Sequence, residues 1–338
     1  MKDGIRLAVV GATGAVGQEM LKILAERDFK IKDLICLADP REEGNKIKFK
    51  EETFTVKAVS DEAFKNADIA LFAVGTDVSK KLAPMAVAND CVVIDNSYAF
   101  RLDDNVPLIV PEVNAEDIQL HKGIISNPNC STIIMAVAIN PIHKYANIKR
   151  AIVSTYQAVS GAGIAGFAEL DQHIDAHINN KPPKLEVFKY PIGFNVIPHI
   201  DDFVEDDYTR EEMKLVWEGR KIMHAPDLKI AATAVRVPVY RSHAEAISLE
   251  TEKPISVETA RRILSESPGI VVQDDPSQNI YPMPLYTSNK DEVYVGRIRK
   301  DISTDNGIVF WVAADQIRKG AATNAIQIAE IVVDKNLY

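Results

Sequence analysis

Apolar residues recur along this chain with two different periods, and the order of those periods outlines its architecture. Residues 5–10, Ile-Arg-Leu-Ala-Val-Val, form a short apolar run rich in β-branched residues, the pattern of a buried strand. Residues 11–17, Gly-Ala-Thr-Gly-Ala-Val-Gly, form a glycine-rich turn, and over 18–26 Met20, Leu21, Leu24 and Ala25 fall on one helical face. Apolar runs at 34–38, 69–74, 91–94 and 124–126 predict further strands, with helical stretches between several of them. Strand and helix in alternation predict a parallel sheet covered on both faces.

After Cys130 the rhythm changes. Residues 131–146 read as a helix with Ile133, Ile134, Val137 and Ala138 facing inward, and 151–158 alternate as a strand. Long β segments are predicted at 235–239, 244–250, 293–298 and 308–313, with few helices between them, which implies a mixed or antiparallel sheet in a second, α+β domain. Residues 320–334 predict a helix with Gly320 at its start and an apolar stripe of Ala322, Ala325, Ile326, Ala329 and Val333. The polar, Pro-containing stretch 180–215 reads partly as an excursion.

Composition narrows the class. A chain of 338 residues exceeds what one hydrophobic core usually fills, so two domains are expected. An apolar fraction of 46% and a charged fraction of 26% are those of a soluble globular protein. The formal charge of −9 argues against a nucleic-acid partner, though not against a local basic pocket for a small anion. Cys36, Cys91 and Cys130 are too few for a disulfide framework and share no metal-ligand spacing. No secretory leader and no run of about 20 apolar residues is present, so a cytoplasmic location is expected.

The candidate chemistry sits at the ends of predicted elements. Gly11-x-x-Gly14-x-x-Gly17 follows a strand and opens a helix, a variant of the dinucleotide fingerprint. Glycine lets a phosphate approach the backbone, and the helix start offers it free N–H groups. After the second strand, Asp39-Pro-Arg41-Glu42 carries both an acid suited to a ribose hydroxyl and an arginine suited to a 2′-phosphate. Cys130 lies in Asn127-Pro-Asn-Cys-Ser-Thr132 at the predicted start of a helix, where the dipole favours a thiolate; Cys36 and Cys91 lie in apolar strands and read as buried. Gln157 and Ser160-Gly-Ala-Gly163 follow the next strand. Arg236 and His243 are seven residues apart, and a turn between them would bring both to one pocket. Glu218 and Lys221 share a helix face at i,i+3 spacing. Asp171-x-His173-x-Asp175-x-His177 lacks a zinc enzyme's glutamate and reads as a solvated helix, so no metal is expected.

Taken together and in order, these segments resemble the aspartate-semialdehyde dehydrogenase family in its bacterial form. The resemblance runs along nearly the whole chain. It adds Asp95-Asn-Ser-Tyr-Ala-Phe-Arg101, Val110-Pro-Glu-Val-Asn114, Phe194-Asn-Val-Ile-Pro-His-Ile-Asp201, Glu218-x-x-Lys-Ile-Met223, Arg236-Val-Pro-Val239, His243-Ala-Glu245 and Arg318-Lys-Gly-Ala-Ala-x-Asn324 to the segments above. It implies a Rossmann-type dinucleotide-binding domain over 1–129, completed by a C-terminal helix within 315–338. It also implies an α+β catalytic and dimerisation domain with a mixed sheet over 130–314, assembled as a homodimer or homotetramer.

The reaction implied by the resemblance is NADP-dependent reductive dephosphorylation of L-aspartyl-4-phosphate to L-aspartate-4-semialdehyde, through a cysteine thioester. The step serves lysine (diaminopimelate), threonine, methionine and isoleucine synthesis. By the same resemblance Cys130 is the nucleophile, His243 moves protons, and Asn129 and Gln157 position the acyl group. Arg101 and Lys221 hold phosphate, Arg236 the α-carboxylate and Glu218 the α-ammonium. The cofactor is expected at Gly11, Thr13, Gly14, Ala15, Val16, Arg41, Glu42, Ser160, Gly161 and Gln316.

Four positions, in three segments, depart from the family pattern. Asp39 and Glu42 replace the usual serines beside Arg41, so NAD or dual use stands beside NADP. Ser242 replaces a glycine before the histidine, and Gln316 stands where asparagine is common. Other acyl-phosphate reductases would share the cysteine and the cofactor domain, but their acetylated or sugar substrates need no partner for a free ammonium. An inactive scaffold would have no reason to keep Cys130, His243, Arg101, Lys221 and Arg236.

Overall fold

The computed structural model describes residues 4–338, and the chain divides into two compact units, one running to Asn129 and including Ala321–Tyr338, the other spanning Cys130–Gly320. The first unit is built on β1 (Ile5–Val10), β2 (Ile31–Ala38), the hairpin strands β3 (Lys46–Phe49) and β4 (Glu52–Thr55), β5 (Lys57–Ala58), β6 (Ile69–Phe72), β7 (Val92–Asp95) and β8 (Ile124–Ser126). Its main sheet has the order β5-β2-β1-β6-β7-β8, and every pairing is parallel. The chain leaves β1 to one side for β2 and β5, then returns to the other side with β6. The point where the order reverses lies between β1 and β6, and open parallel sheets bind ligands there, at their carboxyl ends.

Helices cover both faces of this sheet, as the alternating apolar runs predict. Of these, α1 (Ala15–Glu26), α2 (Asp61–Lys65), α3 (Thr76–Val87) and α4 (Pro111–Asn114) lie in the first half of the chain. On one face α1 buries Met20, Leu21, Ile23 and Leu24 in a core it shares with Ala325, Ile326, Ile328, Ala329 and Val332 of the C-terminal helix. On the other, Phe64 of α2 and Ala83 and Ala86 of α3 pack over Val10, Leu37 and Phe72.

The second unit carries α5 (Cys130–Ala146), β9 (Ile148–Gln157), α6 (Ile164–Ile178), α7 (Arg210–Ile222), β10 (Lys229–Arg236), β11 (His243–Thr251), α8 (Val257–Ser265), β12 (Ile270–Val272), α9 (Pro284–Thr287), β13 (Val293–Lys300) and β14 (Gly307–Ala314). The sheet order is β10-β9-β11-β14-β13-β12; β10 with β9 and β12 with β13 are parallel, and the other pairs are antiparallel. It is therefore the mixed sheet expected. Along β9, Ala151, Val153, Thr155 and Gln157 are buried on one face, while Ile152 and Tyr156 on the other are exposed.

The elements differ from expectation in three places. The strand expected at 235–239 ends at Arg236, because Pro238 has no N–H to continue a ladder. The helix expected from 320 begins at Thr323 as α10 (Thr323–Asp334) and is preceded by a π-turn over Arg318–Ala322. The expected solvated helix at 171–177 is α6, but its His173 is buried. There Nδ1 accepts from the Ile192 N–H at 3.1 Å and Nε2 donates to the Lys184 carbonyl at 2.7 Å. Glu169, one turn earlier, accepts N–H groups from Glu186, Val187 and Phe188. These α6 side chains tie down the excursion that follows. Among the described residues no helix is long and apolar enough to cross a membrane.

Candidate active site

In the first unit the glycine turn connects β1 to α1. Gly11 has φ +82°, and a Cβ on it would lie 2.4 Å from the Ala73 carbonyl; a Cβ on Gly17 would lie 2.2 Å from the Gly11 carbonyl. Both glycines are required by the turn itself. Gly14 is different: a Cβ there would meet only the Gly11 carbonyl, at an ordinary 3.5 Å. It is the N-cap of α1 and offers no side-chain cap. Gly75, the N-cap of α3 after β6, likewise offers no cap, and a Cβ there would meet nothing within 4 Å. Two uncapped helix starts thus follow β1 and β6, on either side of the switch point, with open space where side chains would stand. That arrangement fits a dinucleotide's phosphates. Gly75 was not singled out from the sequence, because a lone glycine before a helix carries no spacing signal.

Thr13 lies in this turn, and Ala15 and Val16 open α1. Arg41 and Glu42 lie in a single helical turn, Pro40–Glu42, directly after β2. Arg41 is already engaged: Nε donates to Asp39 Oδ1 at 2.8 Å and Nη2 to Oδ2 at 3.2 Å. The hydrogen bonds from Arg41 hold the Asp39 carboxyl down to about 2. Arg101 follows β7 and donates through Nη2 to the Asn96 carbonyl at 2.7 Å. Asn127 is held by a ladder of amides. Its Nδ2 donates to Asn96 Oδ1 at 2.8 Å, and its Oδ1 accepts from Asn324 Nδ2 at 2.7 Å. The ladder anchors the segment that leads through Asn129 to Cys130.

In the second unit Cys130 opens α5, and a Cβ on Gly320 would lie 2.9 Å from the Cys130 Cβ, so the thiol-bearing carbon rests against the π-turn. Cys36 and Cys91 are buried, and desolvation pushes their thiols up to about 11 and about 12. Three polar residues form a row across adjacent strands. Arg236 pairs with Gln157 in the β10–β9 register, and Ala244 pairs with Tyr156, which brings His243 beside Gln157. The backbone N–H of Ala158 donates to His243 Nδ1 at 3.1 Å. Nδ1 is therefore the acceptor, and the neutral ring carries its proton on Nε2. Burial and the nearby Arg236 push the His243 pKa down to about 3. Arg236 donates to the Ala158 carbonyl at 2.7 Å, and Gly161 leaves space for its guanidinium: a Cβ there would come within 2.7 Å of Nη1. Ser160 bonds to the Gln316 amide, whose Oε1 accepts from the Ser242 N–H at 2.8 Å.

A residue absent from the expected set completes the row. Gln157 Nε2 donates to Glu211 Oε1 at 3.0 Å, and its Oε1 accepts from Thr155 at 2.9 Å. A carboxylate can only accept, so Glu211 fixes which end of the amide is nitrogen. That nitrogen stands 3.4 Å from His243 Nε2, donor facing donor, so Gln157 offers the His243 proton no acceptor. Lys214, one turn on, donates to Glu211 Oε2 at 3.0 Å and to Asp201 at 2.8 Å. Burial opposes its charge, but Glu211 and Asp201 more than offset this and raise its pKa. The start of α7 is bolted in place. Thr209 and Glu212 form a capping box, and Glu212 Oε1 also accepts the Ala234 N–H of β10 at 2.9 Å.

Glu218 and Lys221 are on α7 as expected, but seven residues beyond Glu211 and Lys214, or about 10 Å along the helix. A Cβ on Gly219 would meet Met135 and Ile230, which places that turn of α7 beside the apolar start of β10 and not beside Gln157. Among the described residues no group of three metal-ligating side chains gathers.

The profile of the semialdehyde dehydrogenase NAD binding domain matches residues 6–121, and that of the semialdehyde dehydrogenase dimerisation domain matches 139–319. An aspartate-semialdehyde dehydrogenase of Aquifex aeolicus is 53% identical over 338 residues, 99% of each chain. The structure of aspartate semialdehyde dehydrogenase II from Vibrio cholerae complexed with ASA superposes with a TM-score of 0.96 at 45% identity, covering 98% of each chain. A Candida albicans aspartate semialdehyde dehydrogenase with NADP gives 0.77 at 26% identity, covering 99% of this chain and 100% of that one.

One further carboxyl lies in this sheet. Glu245 faces the same side of β11 as His243, is fully buried, and has no hydrogen-bond partner for either oxygen; desolvation raises its pKa well above the usual carboxylate range. A group whose folded pKa is raised contributes stability below its unfolded value and loses it as pH climbs towards the folded one, by about 1.4 kcal/mol per pH unit. The depressed His243 has the opposite sign, its loss falling between about 6.5 and about 3. Glu245→Gln removes the Glu245 contribution and leaves that of His243 in place. Above about pH 4.5, the ordinary value for glutamate, the melting temperature of wild type relative to Glu245→Gln is therefore expected to decline as pH rises. Parallel curves would refute the neutral-acid reading.

Proposed function

The chain belongs to the aspartate-semialdehyde dehydrogenase family of oxidoreductases, and from that premise we propose that it reduces L-aspartyl-4-phosphate to L-aspartate-4-semialdehyde through a thioester on Cys130, with NADP(H) as its cofactor. The observation that carries the reading is the row Arg236–Gln157–His243 with Glu211 behind it, on the sheet that α5 carries Cys130 towards. In this reading the Cys130 sulfur attacks the acyl carbon, the carbon–oxygen bond to phosphate breaks, and inorganic phosphate leaves. The nicotinamide, when bound, supplies the hydride that reduces the thioester. Collapse of the resulting tetrahedral adduct breaks the carbon–sulfur bond and returns the thiolate, a good nucleophile and a good leaving group.

The protein's part is to hold charge and protons. The Nε2–H of His243 hydrogen-bonds the developing oxyanion and exchanges its proton there, because the opposite nitrogen is occupied by Ala158. Gln157 and Asn129 orient the acyl group. Arg236 takes the α-carboxylate through its guanidinium. Glu211 takes the α-ammonium and Lys214 the phosphate, so the two roles expected of Glu218 and Lys221 pass to the pair two turns upstream. The uncapped starts of α1 and α3 take the dinucleotide's phosphates, with Arg41 at the 2′-phosphate. Homo-oligomers form through the exposed face of the second sheet that carries Ile152 and Tyr156, the latter with its ring 5.2 Å from that of Trp311 and tilted by 49°. The step feeds lysine, threonine, methionine and isoleucine synthesis in the cytoplasm.

Phosphate-dependent reduction of NADP and of NAD by L-aspartate-4-semialdehyde tests the chemistry. It is expected to require phosphate and to vanish in Cys130→Ala; turnover without phosphate, or by the variant, rejects the thioester.

Substrate contacts are tested by a paired comparison. Glu211→Gln is expected to lower kcat/KM for the semialdehyde by about 10- to 100-fold, the scale of a hydrogen bond to a charged group. Glu218→Gln is expected to cost far less. The reverse order would restore the downstream pair.

Cofactor choice is tested at Asp39. A 2′-phosphate must take Arg41 from it, so Asp39→Ser is expected to raise the ratio of kcat/KM for NADPH over NADH. A ratio that stays level or falls removes Arg41 from the 2′-phosphate.

A further inference from the structure

The fully buried carboxylate of Asp315 binds no other side chain of the row, yet four N–H groups converge on it. It stands directly after Ala314, the β14 register partner of His243. Oδ2 accepts from Arg241 Nε and from the Asn289 N–H, both at 2.6 Å. Oδ1 accepts from the N–H groups of Ile317 at 2.9 Å and Arg318 at 3.1 Å. The donors belong to three separate segments: the turn that leads into His243, the loop after α9, and the start of the π-turn.

Each of those connections reaches a reacting group. Arg241 and Ser242 directly precede His243. Ser242 has φ +73°, a left-handed conformation that costs a serine energy and persists only where its surroundings impose it. The imposing contacts all come from this junction: Gln316 Oε1 accepts the Ser242 N–H, and Ser288 Oγ stands 3.0 Å from Ser242 Oγ. Ser288, in turn, is adjacent to Asn289. On the other side the Asp315 carbonyl accepts the Gly320 N–H at 3.2 Å, and Gly320 is the residue against which the Cys130 Cβ rests. A π-turn at this point widens the helix start so that Gly320 can face Cys130.

We propose that Asp315 is a positioning residue for the reaction, holding the turn before His243 and the turn beneath Cys130 to a single point so that proton donor and nucleophile keep a fixed mutual geometry. The proposal rests on the roles given above to Cys130 and His243. It assigns Gln316 to the same junction, with both ends of its amide engaged by Ser242 and Ser160.

Asp315→Asn is the direct test. It keeps one acceptor oxygen and places an NH2 group against two donors. Misplacement of reacting groups by about 1 Å costs on the order of 100-fold in rate. The folded variant, assayed well below its melting temperature, is expected to lose about 10- to 100-fold in kcat, with KM for semialdehyde and phosphate within about two-fold of wild type. A merely structural carboxylate would leave kcat of the folded fraction unchanged. Unchanged kcat, or a loss carried by KM, overturns the proposal. Should Asp315→Asn not fold, Arg241→Gln decides: it removes one arm from a side chain that is 20% exposed. A several-fold loss in kcat at constant KM supports the junction, and kcat within two-fold of wild type overturns it. Failure of the underlying reading would show separately, as activity retained by Cys130→Ala.

Discussion

The hydrogen bond from Gln157 to Glu211 is the constraint on which the site depends. A carboxylate cannot donate, so the amide can be placed only one way round. Once it is, its nitrogen faces His243 and withholds an acceptor from the imidazole proton. The backbone N–H of Ala158 occupies the opposite ring nitrogen. Two contacts therefore determine where the ring proton sits. The Ala158 contact follows from the register of β9 with β11, and the Glu211 contact from the docking of α7 against β10.

Much of the fold was legible because its periods are clean. The first sheet's strands are buried on both faces and read as unbroken apolar runs, while β9 alternates and reads as a half-covered strand. One choice is left open by the same periodicity. On α7, Glu211 and Lys214 have the same i,i+3 spacing as Glu218 and Lys221, and the two pairs are seven residues apart. Seven residues is close to two full turns, so both pairs lie on one face of the helix, and spacing cannot tell them apart. Only the position of α7 along β10 separates them, and that is set by Thr209 and Glu212, residues whose importance is not visible before the helix is docked. The π-turn at Arg318–Ala322 escaped for a similar reason: its sequence continues the helical stripe, and nothing in it marks the longer bond from the Gly320 N–H to the Asp315 carbonyl.

The two units show different kinds of preparation. At the glycine turn the backbone is shaped by exclusion, since Gly11 and Gly17 admit no side chain and Gly14 and Gly75 leave space beyond the helix starts. In the second unit the polar groups are oriented before any ligand arrives, each by a named partner. Arg41 stands between these cases: its guanidinium is held by Asp39 at an exposed turn, and any incoming anion competes with that carboxylate.

Glu212 has a consequence outside catalysis. β10 is an edge strand, and an edge presents unpaired amides that can template a strand from another chain. Here the Ala234 N–H is taken by Glu212 and the Arg236 N–H by the carbonyl of Ile197. The same carboxylate that sets α7 in register thus helps close this edge to strand addition by another chain.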